Sequence, residues 1–288
     1  MHNIKYIFQY FGIIFLFFLY RLLGLKFSSI LSSYIFLLLG KFFRSKNLIK
    51  KNLKRALPNS SDSELKTIIK NMWFNYGKIL SEYMYIKNFR EDPNYSNKII
   101  IDNQNILEKI KLEEKPVIFV SGHFNNFELM AMIIEKSGVN LATVYRPLNN
   151  KFLNPIMENI RKKYICKNQI KKGISGTRQL LQCFKKKTSI ALMIDQRVSE
   201  GLRCKFFNED AYTTTIPAQF VKKFNTEIVP LYIERLKDGG FKLKIHNPIT
   251  FNRDESIESI TLHLNKIIED MILKNPEQWI WTHNRWKQ

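Results

Sequence analysis

The stretch from Val117 to Leu129 constrains the fold more than any other. An apolar, β-branched run (Val117-Ile118-Phe119-Val120) ends in Ser121-Gly122. A histidine follows at once, a carboxylate stands five residues later at Glu128, and an apolar helical pattern continues from there. This reads as buried strand, tight turn and helix start. The pattern returns twice. Asn140 to Tyr145 is a second buried run ending at Arg146, and Ser189 to Ile194 is a third, ending at Asp195-Gln196-Arg197. Three successive strands thus carry polar groups at their C-terminal ends, the edge where sites of open α/β sheets collect. Ile99 to Ile101 is a further short strand. Glu227 to Glu234 and Phe241 to His246 are expected to pair across Asp238-Gly239-Gly240, a hairpin signal. The fold class is therefore α/β, with a mixed central sheet flanked by helices.

Within the first block, His123 and Glu128 cannot meet if both are helical, because five residues turn a helix by about 140° net. They can meet if His123 sits in the turn, made easy by Gly122, and Glu128 looks back from the first helical turn. A carboxylate on one imidazole nitrogen fixes the tautomer and stabilises the imidazolium formed when the other nitrogen takes a proton. Such a pair is a general base for a hydroxyl. Backbone N–H groups from Phe124 through Asn125 and Asn126, with Arg146 or Arg197, are the expected oxyanion donors. Asp195 is expected to orient the base or to position a ligand.

The N-terminus sets the second constraint. Tyr6 to Tyr20 is uncharged and crowded with aromatic and aliphatic residues, Arg21 interrupts it, and Phe27 to Gly40 is a second uncharged run. Each is shorter than the ~20 residues needed to cross a bilayer, so either the first helix spans with Lys5 and Arg21 snorkelling, or both helices lie in the interface or dip in from one side, or the two are a buried pair of a soluble fold. Arg44 to Arg55 follows with six cations and no anion, its apolar residues on one side of a helix, as expected of a contact with anionic lipid. The division is an anchor over residues 1–45 and a catalytic domain over 46–288. The whole chain has 46 Lys and Arg against 25 Asp and Glu, an excess that points to polyanionic partners.

Several chemistries are disfavoured. Cys166, Cys183 and Cys204 are far apart and odd in number, which supports neither a disulfide framework nor a zinc site. No metal is implied. Gly173-Ile174-Ser175-Gly176-Thr177-Arg178 lacks the ending of a P-loop. Ser61-Asp62-Ser63-Glu64 is a helix start of the capping-box type. A helix is expected over Asn154 to Tyr164, then a second cationic cluster. Phe206-Phe207 and Thr213-Thr214-Thr215 read as a loop.

In order along nearly the whole chain, the blocks resemble those of the secondary, lauroyl/myristoyl-type acyltransferases of bacterial lipid A biosynthesis, a branch of the glycerolipid-acyltransferase-like fold. They are the apolar N-terminus, Ser121-Gly122-His123-x4-Glu128, Arg146-Pro147-Leu148-Asn149-Asn150, Asp195-Gln196, Phe206-Phe207, the threonines at 213–215 with Pro217-Ala218, and Trp281-x-His283-x-Arg285-Trp286. The chain departs from that family at Asn125 and Asn208, where the family often has glycine. The resemblance implies acyl carrier protein or coenzyme A as the acyl donor, a hydroxyl of a lipid A precursor as acceptor, and no cofactor. It also implies an inner-membrane location with the site facing the cytoplasm. His123 and Glu128 would be catalytic, with Asn125, Asn126, Arg146, Asp195, Gln196 and Arg197 around the substrate.

Two other readings use the same features. The acceptor could be a different lipid, such as a glycerophospholipid or an inositol mannoside. The chain could instead be a non-enzymatic basic binder of membrane lipid or nucleic acid, although the cations flank apolar segments and no nucleic-acid motif is present, so no nucleic acid is expected.

Overall fold

The computed structural model describes residues 2–287, apart from the side chains of His2, Asn3, Lys41 and Phe43. The strands are β1 (Ile99–Asp102), β2 (Ile118–Ser121), β3 (Leu141–Tyr145), β4 (Asn168–Lys171), β5 (Ser189–Met193), β6 (Leu202–Phe206), β7 (Glu209–Thr213), β8 (Ile228–Arg235) and β9 (Phe241–Ile245). Seven of them form one sheet in the order β1-β9-β8-β2-β5-β3-β4. All neighbours in it are parallel except β8 and β9. The mixed α/β architecture follows from the chain's alternation of short apolar runs with helical segments. β2 is buried at every position, as befits a strand covered on both faces.

The helices are α1 (His2–Phe43), α2 (Lys46–Ala56), α3 (Asp62–Glu82), α4 (Ile86–Glu91), α5 (Pro93–Ser96), α6 (Asn105–Glu113), α7 (Glu128–Lys136), α8 (Asn154–Ile160), α9 (Ile174–Lys185), α10 (Ile216–Phe224) and α11 (Ile257–Lys274). The capping box at Ser61 and Glu64 starts α3 as its sequence requires. The helix expected over Asn154 to Tyr164 instead changes pitch, passing from α8 into a π-turn at Arg161–Ile165.

Two segments differ from the sequence reading. Asn168–Lys171 is a strand at the sheet edge, hidden in the sequence because a single isoleucine among polar residues in a cationic cluster carries no buried-strand signal. The Phe-Phe and Thr blocks belong to the antiparallel hairpin of β6 and β7. Its two-residue turn is Phe207-Asn208, with φ of 50° and 61°, the left-handed pair of a type I′ turn. The departure from the family's glycine at Asn208 falls where asparagine also tolerates positive φ.

α1 is two helices merged across a kink at Gly24 (φ 71°, ψ 164°). Among the described residues it is one helix with enough length and apolarity to cross a membrane, at a mean hydropathy of 1.8. Ile4, Phe8, Phe11, Phe15, Phe18 and Leu22 are exposed at helical spacing in its first half, and Phe27, Ile30, Tyr34 and Leu38 in its second. The opposite side of the second half is fixed to the protein. Ser28, Ser32 and Ser33 are fully buried, and a Cβ on Gly77 of α3 would stand 2.3 Å from the Ser32 carbonyl oxygen. Gly77→Val should therefore part α1 from α3 and cost about 1–3 kcal/mol, seen as a melting temperature several degrees lower. Gly12→Ala, where a Cβ meets open space, should leave it unchanged or raised.

Candidate active site

β2 and β5 are neighbouring parallel strands with Ser121 opposite Met193. Two residues further along each, the chain has left the sheet and His123 stands beside Asp195. His123 donates from its backbone N–H to Asp195 Oδ2 at 2.9 Å, and its Nδ1 lies 2.8 Å from Asp195 Oδ1. The Trp279 indole N–H donates to the same Oδ2 at 2.8 Å. Asp195 has no exposed surface, while the His123 side chain is 21% exposed. Burial alone would raise the Asp195 carboxyl, but the His123 charge and these donors hold it down at about 2. It is therefore an acceptor, which fixes the Nδ1–H tautomer of His123 and leaves Nε2 as the free base. Burial pushes His123 down, and the charge and hydrogen bond of Asp195 outweigh it, so its pKa stands above the ordinary histidine value.

Glu128 was the expected partner of that imidazole, and the hydrogen bond is made by Asp195 instead. Glu128 opens α7, and its Oε1 accepts from Arg161 Nη2 at 2.6 Å, from Arg161 Nε at 2.8 Å and from the Tyr83 hydroxyl at 3.2 Å. Arg161 begins the π-turn after α8, a distortion of the kind often found at functional sites. A fork of N–H donors matches a carboxylate better than one imidazole nitrogen does, and the register of β2 and β5 has already supplied the other carboxylate. Glu128 stays close enough for its charge to help raise the His123 pKa.

The other expected site residues separate into two groups. Gln196 reaches the cleft, with its Nε2 3.5 Å from His123 Nε2. Arg146 is exposed at the end of β3. Arg197 turns away, its Nε donating to the Lys287 carbonyl and its Nη1 to Ser199. The side chains of Asn125 and Asn126 are buried beneath the turn. Asn125 Nδ2 donates to Gln278 Oε1 and to the Ile233 carbonyl, and Asn126 Nδ2 to Glu82. Glu82 is itself clamped by buried Arg235. Asn125 takes φ 42°, again a left-handed position where the family often has glycine. Of the expected backbone oxyanion donors, the N–H of Phe124 goes to the Gly122 carbonyl and that of Asn125 to the Gln278 carbonyl.

Trp279, Arg161 and Tyr83 were not singled out by sequence. Trp279 lies in a tryptophan-rich C-terminal segment that runs past the site. Asn52 of α2 donates to the carbonyls of Trp281 and His283, at 3.0 and 2.9 Å. Fully buried Arg285 donates to the Tyr212 carbonyl and to Thr213 Oγ1. His283 Nε2 accepts from the Arg197 N–H. A cleft beside His123 is walled by Met72, Tyr76 and Ile79 of α3, by Phe127, and by Trp279 and Ile280, with Asn125 and Gln278 at its border. Among the described residues no three His, Cys, Asp or Glu side chains cluster as a metal would need.

An oriented histidine with a free Nε2, facing an apolar cleft, is suited to deprotonating a hydroxyl beside an apolar substrate. The family model for the bacterial lipid A biosynthesis acyltransferases matches residues 1–288, and the chain belongs to that family. It is accordingly an acyltransferase, acting in lipid A biosynthesis. The chain is 24% identical over 249 residues to the lipid A biosynthesis palmitoleoyltransferase of Escherichia coli K12, covering 85% of this chain and 79% of that protein. To the lauroyltransferase of the same organism it is 23% identical over 252 residues, with 85% and 79% covered. To the myristoyltransferase it is 20% identical over 248 residues, with 84% and 75% covered.

The opposed influences on His123 make a direct prediction. Asp195→Asn removes the charge that outweighs burial, so the His123 pKa should fall below the ordinary histidine value in an NMR titration of the ring carbons. Glu128→Gln should lower it less and leave the ring in the same tautomer.

Proposed function

We propose that the protein moves a fatty acyl chain from a carrier-borne thioester to a hydroxyl of a lipid A precursor, with His123 as general base and Asp195 as the group that orients it. The observation that carries this reading is the 2.8 Å contact between His123 Nδ1 and the buried Asp195 carboxylate. His123 Nε2 takes the proton of the acceptor hydroxyl as the oxygen attacks the thioester carbonyl carbon. The tetrahedral oxyanion collapses, the C–S bond breaks, and the departing thiolate recovers the proton from Nε2. No acyl-enzyme intermediate is involved. With the N–H groups of Phe124 and Asn125 engaged, the oxyanion is assigned to the Gln196 amide, which approaches His123 Nε2, and to Arg161, whose charge acts on His123. Glu128 and Tyr83 hold Arg161 in that position.

In this reading the protein works on the inner membrane with its site towards the cytoplasm, held by α1 and α2. Support comes from the exposed apolar stripes on both halves of α1, and from exposed Arg44, Lys46 and Lys51 beside them. The second half of α1 is packed along α3 through Ser32 and Gly77, which favours a helix lying in the interface over one that crosses the bilayer. Replacing Phe11, Phe15 and Phe18 together by aspartate should abolish co-sedimentation with anionic vesicles. Retained binding would remove α1 as the anchor.

The reaction is tested with detergent-solubilised protein, acyl carrier protein bearing a labelled acyl chain, and a lipid A precursor. Wild type should form the acylated glycolipid. His123→Ala should lower turnover by roughly 10²–10⁴ in protein that still folds by circular dichroism, and Asp195→Asn by a comparable factor. Because the base must be neutral, kcat/KM should rise with pH through the raised pKa of His123 and level off above it. The Asp195→Asn rise should lie at lower pH. Near-normal turnover in folded His123→Ala would overturn the mechanism, labelled free acid without acylated lipid would identify a hydrolase, and labelling of a different lipid would replace the acceptor.

A further inference from the structure

We infer that the cationic face formed by the π-turn, the end of β4 and the start of α9 is the docking surface for the acidic acyl carrier protein. The inference rests on the donor named above. Between residues 159 and 194 the chain carries ten Lys and Arg and no Asp or Glu, and the fold gathers several of these in one place. The π-turn sends Arg161 inward to Glu128 and presents Lys162 and Lys163 outward. β4 pairs with β3 in parallel, with Tyr145 opposite Lys171, and the Lys172 N–H donates to the Tyr145 carbonyl. Lys171 and Lys172 therefore leave the sheet at its C-terminal edge, the edge that carries His123 and Asp195. Arg178 follows on α9, also exposed.

Among the described residues none of Lys162, Lys163, Lys171, Lys172 and Arg178 forms an ion pair. Glu158, close enough to feel Lys171 and Lys162, is engaged by Tyr145 and Asn154. Unpaired like charges at short range oppose folding, so a face of this kind marks an external anion. Ile174 stands in its midst, 81% exposed. It is held there because Gly176 lets the first turn of α9 close on the Lys171 carbonyl, where any Cβ would fall 2.0 Å from that oxygen. An isolated apolar anchor ringed by cations suits a folded acidic partner.

The position fits a carrier whose acyl group is borne on a long pantetheine arm. β4 lies three strands from β2, about 15 Å at ordinary strand spacing. The body of the carrier can rest on this face while its thioester reaches past Arg161 to His123.

The test separates the carrier from its cargo. Lys171→Glu/Lys172→Glu/Arg178→Glu, and separately Ile174→Asp, are assayed with a lipid A precursor and the same acyl chain presented either on acyl carrier protein or on free pantetheine. With the carrier, kcat/KM should fall at least tenfold in each variant, through KM, and wild-type KM should rise with salt. With acyl-pantetheine the variants should match wild type, at equal melting temperatures. Wild type that uses the carrier while the variants use it equally well would overturn the docking surface alone. Equal losses with both donors would move the face to the acceptor or the membrane and overturn the inference as well. Wild type that ignores acyl carrier protein but accepts acyl-pantetheine would overturn the donor assignment, and the surface with it.

Discussion

The site depends on one buried charge. Asp195 is removed from water, which is costly for a carboxylate unless it is fully hydrogen-bonded and paired. It meets that condition with the His123 backbone N–H, the His123 imidazole and the Trp279 indole. The first two come from the turn after β2, and the register of β2 with β5 brings them within reach. The third comes from the far end of the chain. Satisfying Asp195 therefore ties together the sheet centre, the turn beneath α7 and the C-terminal segment, and the same bonds leave His123 with one nitrogen free and basic.

A second layer keeps that turn in shape. Asn125 takes a left-handed conformation and is held from below by Gln278 and Ile233, while Asn126 leans on the buried pair of Glu82 and Arg235. These links connect α3, β8 and the C-terminal segment to the turn that carries the histidine, and Asn125 and Gln278 also border the cleft. They account for the burial of both asparagines in the middle of the motif. Glu128, at the end of the motif, serves the arginine next to the site.

Much of the fold was legible because buried parallel strands are uninterrupted apolar runs, and β2, β3 and β5 all are. Their ends identified His123, Arg146 and Asp195 as members of one edge. What could not be read was which strand lies beside which. The order β2-β5-β3 makes Asp195 the neighbour of His123 and sets Arg146 one strand further off, whereas spacing along the chain made Glu128 look closer. β4 escaped notice because an edge strand need not be apolar. The hairpin of β6 and β7 escaped because its turn uses Phe207-Asn208 in place of the glycine that normally signals such a turn. Trp279 gave no signal at all, since an indole bound to a carboxylate looks in sequence like any core aromatic.

The origin of Trp279 has a consequence for how the protein is made. α1 precedes the sheet in the chain, whereas the Trp279 indole that completes the hydrogen bonding of Asp195 follows every strand of it. During synthesis the carboxylate therefore waits for its third donor until the whole sheet has been translated, and the shell that orients His123 closes only after the sheet that carries it.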